Sequence, residues 1–210
     1  MSGQCFRKGV NTMDLHLHQL HLPIGTNHRV RTSAVFSPCR RYRYRLSRSW
    51  ASSMPVLGVV VLQPDDHTDN RTLRRISDFA EGWGYGGIDV CNVYGLRARS
   101  PLTVRTHADP VGANNDVHLA QLGRQRDLIV LAWGEMADQR RAAHVTQLLL
   151  RACRPRAASL AVLGWTYDGQ PAHPCDLPKS TPLQCLTLDH GQLPEVADPR
   201  WGRLMMATAA

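Results

Sequence analysis

The sequence predicts an α/β fold: a three-layer α/β/α sandwich on a mainly parallel, four-stranded central sheet, with one extra edge strand. Three observations predict it. Four apolar runs, at 56–62, 88–94, 128–133 and 160–165, are each too short to span a bilayer and have the make-up of strands buried on both faces. Segments of helical periodicity separate them. No hairpin turn joins one run to the next, so each connection reads as a crossover between parallel strands.

Taken in order, residues 1–41 have little periodicity and read as a basic, disordered extension ahead of a single domain at 42–188. Arg41, Arg43 and Arg45 alternate with Tyr42, Tyr44 and Leu46. That period of two predicts a half-buried edge strand with one cationic and one apolar face. The run Val56-Leu57-Gly58-Val59-Val60-Val61-Leu62 is the first central strand and stops at the turn Gln63-Pro64-Asp65-Asp66. Asp69 or Asn70 can cap a helix over 71–83, whose Leu73, Ile76, Phe79, Ala80 and Trp83 share one face. Gly84, Gly86 and Gly87 end it ahead of the second strand. Residues 97–110 read as a loop and 114–125 as a weakly amphipathic helix. The third strand ends at Trp133-Gly134. A helix over 138–153 follows, with Ala142, Val145, Leu149 and Ala152 in register, and then the fourth strand. Residues 189–210 read as an irregular tail.

The net charge of +8 is unevenly placed. Residues 1–50 hold nine Lys and Arg against one acid, and the remainder holds sixteen of each. Residues 51–210 are therefore neutral, which fits tight duplex binding poorly. The six cysteines lie far apart with no C-x-x-C pair, against a zinc ribbon or a disulfide framework. His16, His18 and His21 lack a scaffold and further ligands, and are read as no metal site. No Walker loop, G-x-G-x-x-G, H-E-x-x-H or G-x-S-x-G occurs. No apolar run spans a membrane and no secretory signal is visible, so the expectation is a cytoplasmic protein without a cofactor.

Ligands of open α/β sheets bind outside the carboxyl ends of the strands. Four such ends carry polar or aromatic residues here: Gln63-Pro64-Asp65-Asp66, Asn92, Trp133-Gly134, and the loop with His173-Pro174. In a parallel sheet they share one edge.

Further motifs recur in order: Tyr42-Arg43-Tyr44-Arg45-Leu46-Ser47-Arg48, Thr72-Leu73-Arg74-Arg75, Trp83-Gly84-Tyr85-Gly86-Gly87, Asp109-Pro110-Val111-Gly112 with Asn115-Asp116, and Asp168-Gly169-Gln170-Pro171-Ala172-His173-Pro174. With Asn92 and Trp133-Gly134, they make the stretch 42–182 resemble a bacterial and phage family, domain of unknown function 1643. More distantly, the four strand ends resemble those of the uracil-DNA glycosylase superfamily. That resemblance implies a glycosylase-like fold in which the Gln63 position orients water and His173 stabilises charge on the departing base. Asp65 or Asp66 in the same turn is the candidate base that completes a catalytic set of Gln63, Asp65, Asp66 and His173. Asn92 reads a base edge, and Tyr94, Trp133, Gly134 and Pro174 contribute binding contacts. Two departures bear on the reaction. Gln63 stands where the glycosylases have Asp or Asn, and an amide cannot accept a proton at neutral pH. Pro174 is followed by Cys175-Asp176 rather than Ser-Pro. The functional expectation is a nucleobase- or nucleotide-handling enzyme. Its alternatives are a non-catalytic nucleotide or nucleic-acid binding module and a structural or interaction protein.

Overall fold

The computed structural model describes residues 30–64, 70–186 and 198–206. Within them, seven strands form one sheet: β1 (Arg31–Phe36), β2 (Arg43–Ser49), β3 (Val56–Val61), β4 (Gly87–Asn92), β5 (Leu128–Leu131), β6 (Ser159–Val162) and β7 (Gln184–Leu186). Their spatial order is β1-β2-β4-β3-β5-β6-β7. The four central strands, β4, β3, β5 and β6, run parallel. The outer pairings, β1 with β2, β2 with β4 and β6 with β7, are antiparallel. The sheet is therefore mixed and wider than the expected four strands plus one edge.

Helices lie on both faces. α1 (Arg71–Gly82) buries Leu73, Ile76, Phe79 and Ala80 against Leu46, Leu57, Val59, Val90, Val130 and Ala161. Asn70 caps it, its side chain accepting from the Leu73 N–H at 2.9 Å. Gly84 leaves it at φ +81°, a conformation that a residue without a Cβ enters freely. The opposite face is covered by α3 (Asn115–Gln125), α4 (Gln139–Cys153) and α5 (Pro199–Met205), which pack on Val60, Cys91, Ile129, Leu131, Leu160 and Val162.

Several elements depart from the sequence expectation. β1 lies within the stretch read as disordered, and it takes the edge position assigned to 41–46, making β2 an interior strand. Residues 101–106, expected as loop, form α2 (Pro101–Thr106), started by the Ser100 side chain and by Pro101 in the first turn. A helix this short shows no periodicity in sequence. α5 lies within the stretch read as an irregular tail and buries Trp201 and Leu204. Trp201 meets Trp165 edge to face at 5.1 Å between centroids.

The alternation expected over 41–46 is broken by a bulge. In the β1–β2 register Val35 pairs with Arg45 and Phe36 with Arg43, leaving Tyr44 unpaired on β1. Tyr44 and Arg45 consequently reach the same side. Tyr44 stacks on His118 of α3 at 5.4 Å, and Arg45 donates to Gln125 of α3 at 2.6 Å. Arg43 is turned to the α1 side. The cationic face read from the sequence is thus split between two faces of the sheet.

Asp89 ties three elements together. Fully buried on β4, it accepts from Arg45 Nε at 2.7 Å, Ser47 Oγ at 2.9 Å, and Arg126 Nε and Nη2 at 3.0 and 2.9 Å. Burial works to raise its pKa, but bonds and charge from Arg45 and Arg126 outweigh burial and hold it below the usual carboxylate value.

Candidate functional site

The parallel strands all end at one edge, and the start of antiparallel β2 meets that edge too. Between this edge and the first turn of α1 lies a cleft of about 400 Å³. Gln63, Trp133, Gly134 and His173 line it. So do Arg43, Arg99, Thr72, Glu135 and Asp176, none of them chosen from the sequence, with Val61, Leu73 and Val90 as apolar floor.

Gln63 follows β3. Its Nε2 donates to the Ala98 carbonyl at 3.0 Å, while its Oε1 is buried with no hydrogen-bond partner. The amide is held by one end and has acceptor capacity left at the other.

Gly134 leaves β5 at φ +75°, and its N–H donates to the Pro171 carbonyl at 2.8 Å. A Cβ here would lie 3.3 Å from the His173 Cβ. The glycine thus serves both the left-handed turn and the close approach of the His173 loop. Trp133 sits in the core on the far face from α1, its Nε1 donating to Gln170 Oε1 at 2.8 Å. It meets the cleft from the end of its strand, without offering its ring as a stacking wall.

His173 opens a 3-10 turn that is pinned to α1: Arg75 Nε donates to the Pro174 carbonyl at 3.3 Å, and Arg75 Nη2 donates to the Leu177 carbonyl. The Cys175 N–H donates to His173 Nδ1 at 3.3 Å. A backbone N–H only donates, so Nδ1 accepts and the ring proton sits on Nε2, 3.5 Å from Thr72 Oγ1. Burial lowers the His173 pKa, with Asp176 opposing and Arg71 adding to the shift. The ring is accordingly neutral at physiological pH, with an N–H at the cleft.

The remaining expected residues are placed otherwise. Asn92 ends β4 on the same face as Val90 but is only 1% exposed, beneath the cleft lining. Neither Nδ2 nor Oδ1 of Asn92 has a hydrogen-bond partner. Tyr94 is buried in the core away from the cleft, where its hydroxyl accepts from the Asp138 N–H at the start of α4, 3.0 Å away. It caps a helix end and does not face the cleft. Pro174 packs beside Leu57, Ile76 and Phe79, outside the cleft lining. Asp65 and Asp66 lie outside the described residues, as do His16, His18 and His21.

Arg43 and Arg99 were legible only as surface charge, because the bulge that turns Arg43 inward leaves no mark in the residue pattern. Glu135 immediately follows Trp133-Gly134 and Asp176 closely follows His173-Pro174, so the flanks of the motifs carried that signal.

A family model described as "Protein of unknown function (DUF1643)" matches residues 43–175, well over half of the chain. The chain belongs to that family. Its match runs from Arg43 through Cys175 and so covers every residue lining the cleft except Asp176. No curated protein and no solved structure matches. Among the described residues, no helix is long and apolar enough to cross a membrane, and no group of three or more His, Cys, Asp or Glu is placed to hold a metal.

Proposed function

We propose that the cleft binds a nucleobase-containing ligand and that the protein is a nucleobase- or nucleotide-handling enzyme of glycosylase type. The observation that carries this is unmet hydrogen-bonding capacity around one apolar-floored cleft. Gln63 Oε1 has no partner in a cleft that also holds a neutral His173 N–H, and both polar atoms of Asn92, buried at the end of β4, have none either. A buried amide without partners costs about 1–3 kcal/mol, which a ligand edge reaching it recovers. A planar heterocycle with alternating donors and acceptors satisfies such a set, and Val61, Leu73 and Val90 give it an apolar bed.

In this reading His173 Nε2–H donates to a carbonyl oxygen of the base and stabilises negative charge gathering there as the glycosidic bond breaks. A neutral imidazole suits that role, since it donates without first giving up a proton. Asn92 reads the base edge and Gln63 orients water. A base for that water comes from Asp65 or Asp66, or from Glu135 or Asp176 on the cleft wall. The position of four strand ends at one edge supports a glycosylase-like architecture. The second reading is a binding module without turnover, favoured by the amide at Gln63, which cannot accept a proton.

The test is a screen of the full chain against bases, nucleosides, nucleotides and uracil- or modified-base oligonucleotides, followed by thermal shift and base release. Base release that falls at least 100-fold in His173→Ala, with thermal shift retained, is the expected result. Thermal shift without release supports the binding module, and silence with every ligand removes both readings.

A further inference from the structure

We infer that the protein has a second ligand site, on the α4–α5 side of the sheet, and that its ligand is a small zwitterion, a free α-amino acid. This goes beyond the nucleobase reading and does not rest on it.

A pocket of about 230 Å³ lies where the start of α4, the second half of α5 and the turn after β6 meet. Gln139, Asp168, Gly169, Gln170, Arg203 and Leu204 line it, and none of them lines the cleft. An exposed carboxylate and an exposed guanidinium are by themselves ordinary surface chemistry. Gln170 is what marks this pocket. It is only 5% exposed, and Trp133 Nε1, which can only donate, fixes its Oε1 end at 2.8 Å. The Gln170 N–H donates to Thr166 Oγ1 at 3.1 Å, and its carbonyl accepts from the Thr166 N–H at 2.8 Å. Nε2 alone remains, with two N–H donors and no hydrogen-bond partner. It is the polar group that this buried side chain has left for the pocket.

The charges on the wall narrow the ligand. Asp168 and Arg203 line the same small pocket and form no ion pair with each other. Neither side chain has a hydrogen bond or ion pair among the described residues. Arg203 adds to the positive field at Asp198, whose carboxylate is already held by Arg200 at 2.6 Å. A ligand with only a carboxylate meets Arg203 and Gln170 but brings its charge to a pocket that also holds Asp168. A ligand with only an ammonium has the converse fault toward Arg203. A zwitterion satisfies both: its carboxylate accepts from the guanidinium and from Gln170 Nε2, and its ammonium donates to Asp168. Leu204, itself 5% exposed, offers apolar contact to a side chain. The volume is below the roughly 300 Å³ at which pockets for drug-sized ligands begin, which suits a molecule of amino-acid size.

Such a ligand is felt at the cleft. Gln170 joins the pocket to Trp133, a cleft residue, and the next carbonyl, of Pro171, holds the Gly134 N–H at 2.8 Å. An acceptor at Nε2 polarises the amide and strengthens the bond from its Oε1 to the indole.

The experiment is calorimetric titration of the full chain, as wild type, Asp168→Asn and Arg203→Gln, with each of the common amino acids. Any that binds is compared with the amine lacking its carboxylate and the acid lacking its amine. At least one amino acid is expected to bind wild type with a Kd of about 1 mM or tighter. Each analogue is expected to bind at least about tenfold more weakly, and each variant to lose at least about tenfold for the amino acid. Both substituted positions are exposed, and the comparison of analogues on wild type stands whether or not a variant folds. Saturation with the amino acid is also expected to move the Trp133 indole N–H resonance, identified by its loss in Trp133→Phe. Absence of binding by every amino acid overturns the site. An affinity that either variant leaves unchanged overturns its location, and an analogue as tight as the amino acid overturns the zwitterion class. Binding with an unmoved Trp133 resonance overturns the part given to Gln170. Base binding and release at the cleft are read separately, so none of these outcomes decides the nucleobase reading.

Discussion

At the level of single residues, Gly134 sets how closely the His173 loop approaches the end of β5. It leaves β5 at φ +75° and has the His173 Cβ 3.3 Å from where its own Cβ would stand. Gly134→Ala is expected to cost about 1–2 kcal/mol for the left-handed backbone alone. It should also displace His173, since the Cβ contact is tighter than side chains usually make. Urea unfolding reads the first effect, and the shift of the His173 ring resonances reads the second. An alanine variant as stable as wild type, with unmoved resonances, removes Gly134 as the support of the site. Trp133 shows how a residue singled out in the sequence can reach the cleft and yet have its ring committed elsewhere. It lines the cleft, but its indole is a core residue fixed by Gln170. Tyr94 is a sharper case, because its hydroxyl is spent on the start of α4. Side-chain direction is set by packing partners that are remote in sequence. Motif spacing placed these residues near the right edge and could not say which way they face.

At the level of elements, the parallel core was the most legible part, because strands buried on both faces give unbroken apolar runs and α1 has a clean apolar stripe. β1, β7 and α2 were missed for one physical reason. They are three to six residues long, and exposed or half-exposed edges impose no pattern to read. The joint between β2, β4 and α3 makes a prediction of its own. Asp89→Ala removes the shared carboxylate from two guanidiniums and should cost about 3–5 kcal/mol at neutral pH. The sign of the pH dependence follows from the pKa. Asp89 is held below its ordinary value of 3.8, so its stabilisation is complete above that pH and is lost as pH falls through the lower folded value. The stability gap between wild type and Asp89→Ala should therefore be wide at pH 7 and narrow below 3.8. Denaturant titrations at both pH values check this, and a gap that widens in acid sinks the assignment.

At the level of the whole molecule, the boundary of the fold is not where composition changes. Basic, turn-rich sequence runs up to and into β1, yet β1 pairs along the length of β2. A chain begun at residue 42 loses this strand and leaves one side of β2 with open N–H and C=O groups, a template for edge-to-edge association. It also loses the Arg97 N–H bond to the Arg41 carbonyl at 2.9 Å, just upstream of the cleft wall. Such a chain is expected to melt lower and to aggregate at concentrations where a chain begun at residue 30 stays monomeric. Light scattering and thermal unfolding of the two forms decide it, and equal behaviour means that β1 contributes nothing to the fold. Charge was the least legible property at this scale. A neutral total over residues 51–210 conceals a cleft lined by Arg43, Arg99, Glu135 and Asp176.

β1 supplies no group to the cleft, yet the site is metered from it. One unpaired residue in its ladder with β2 decides which surface of the sheet receives the Arg43 guanidinium. The sign of the cleft wall is therefore a matter of counting. Iron out the bulge, so that Tyr44 takes a partner on β1, and the same amino acids, in the same order, carry that charge to the α3 side instead. The outermost strand thus acts as a gauge for a pocket it never touches, and a one-residue slip at this rim reaches the cleft as a change of charge.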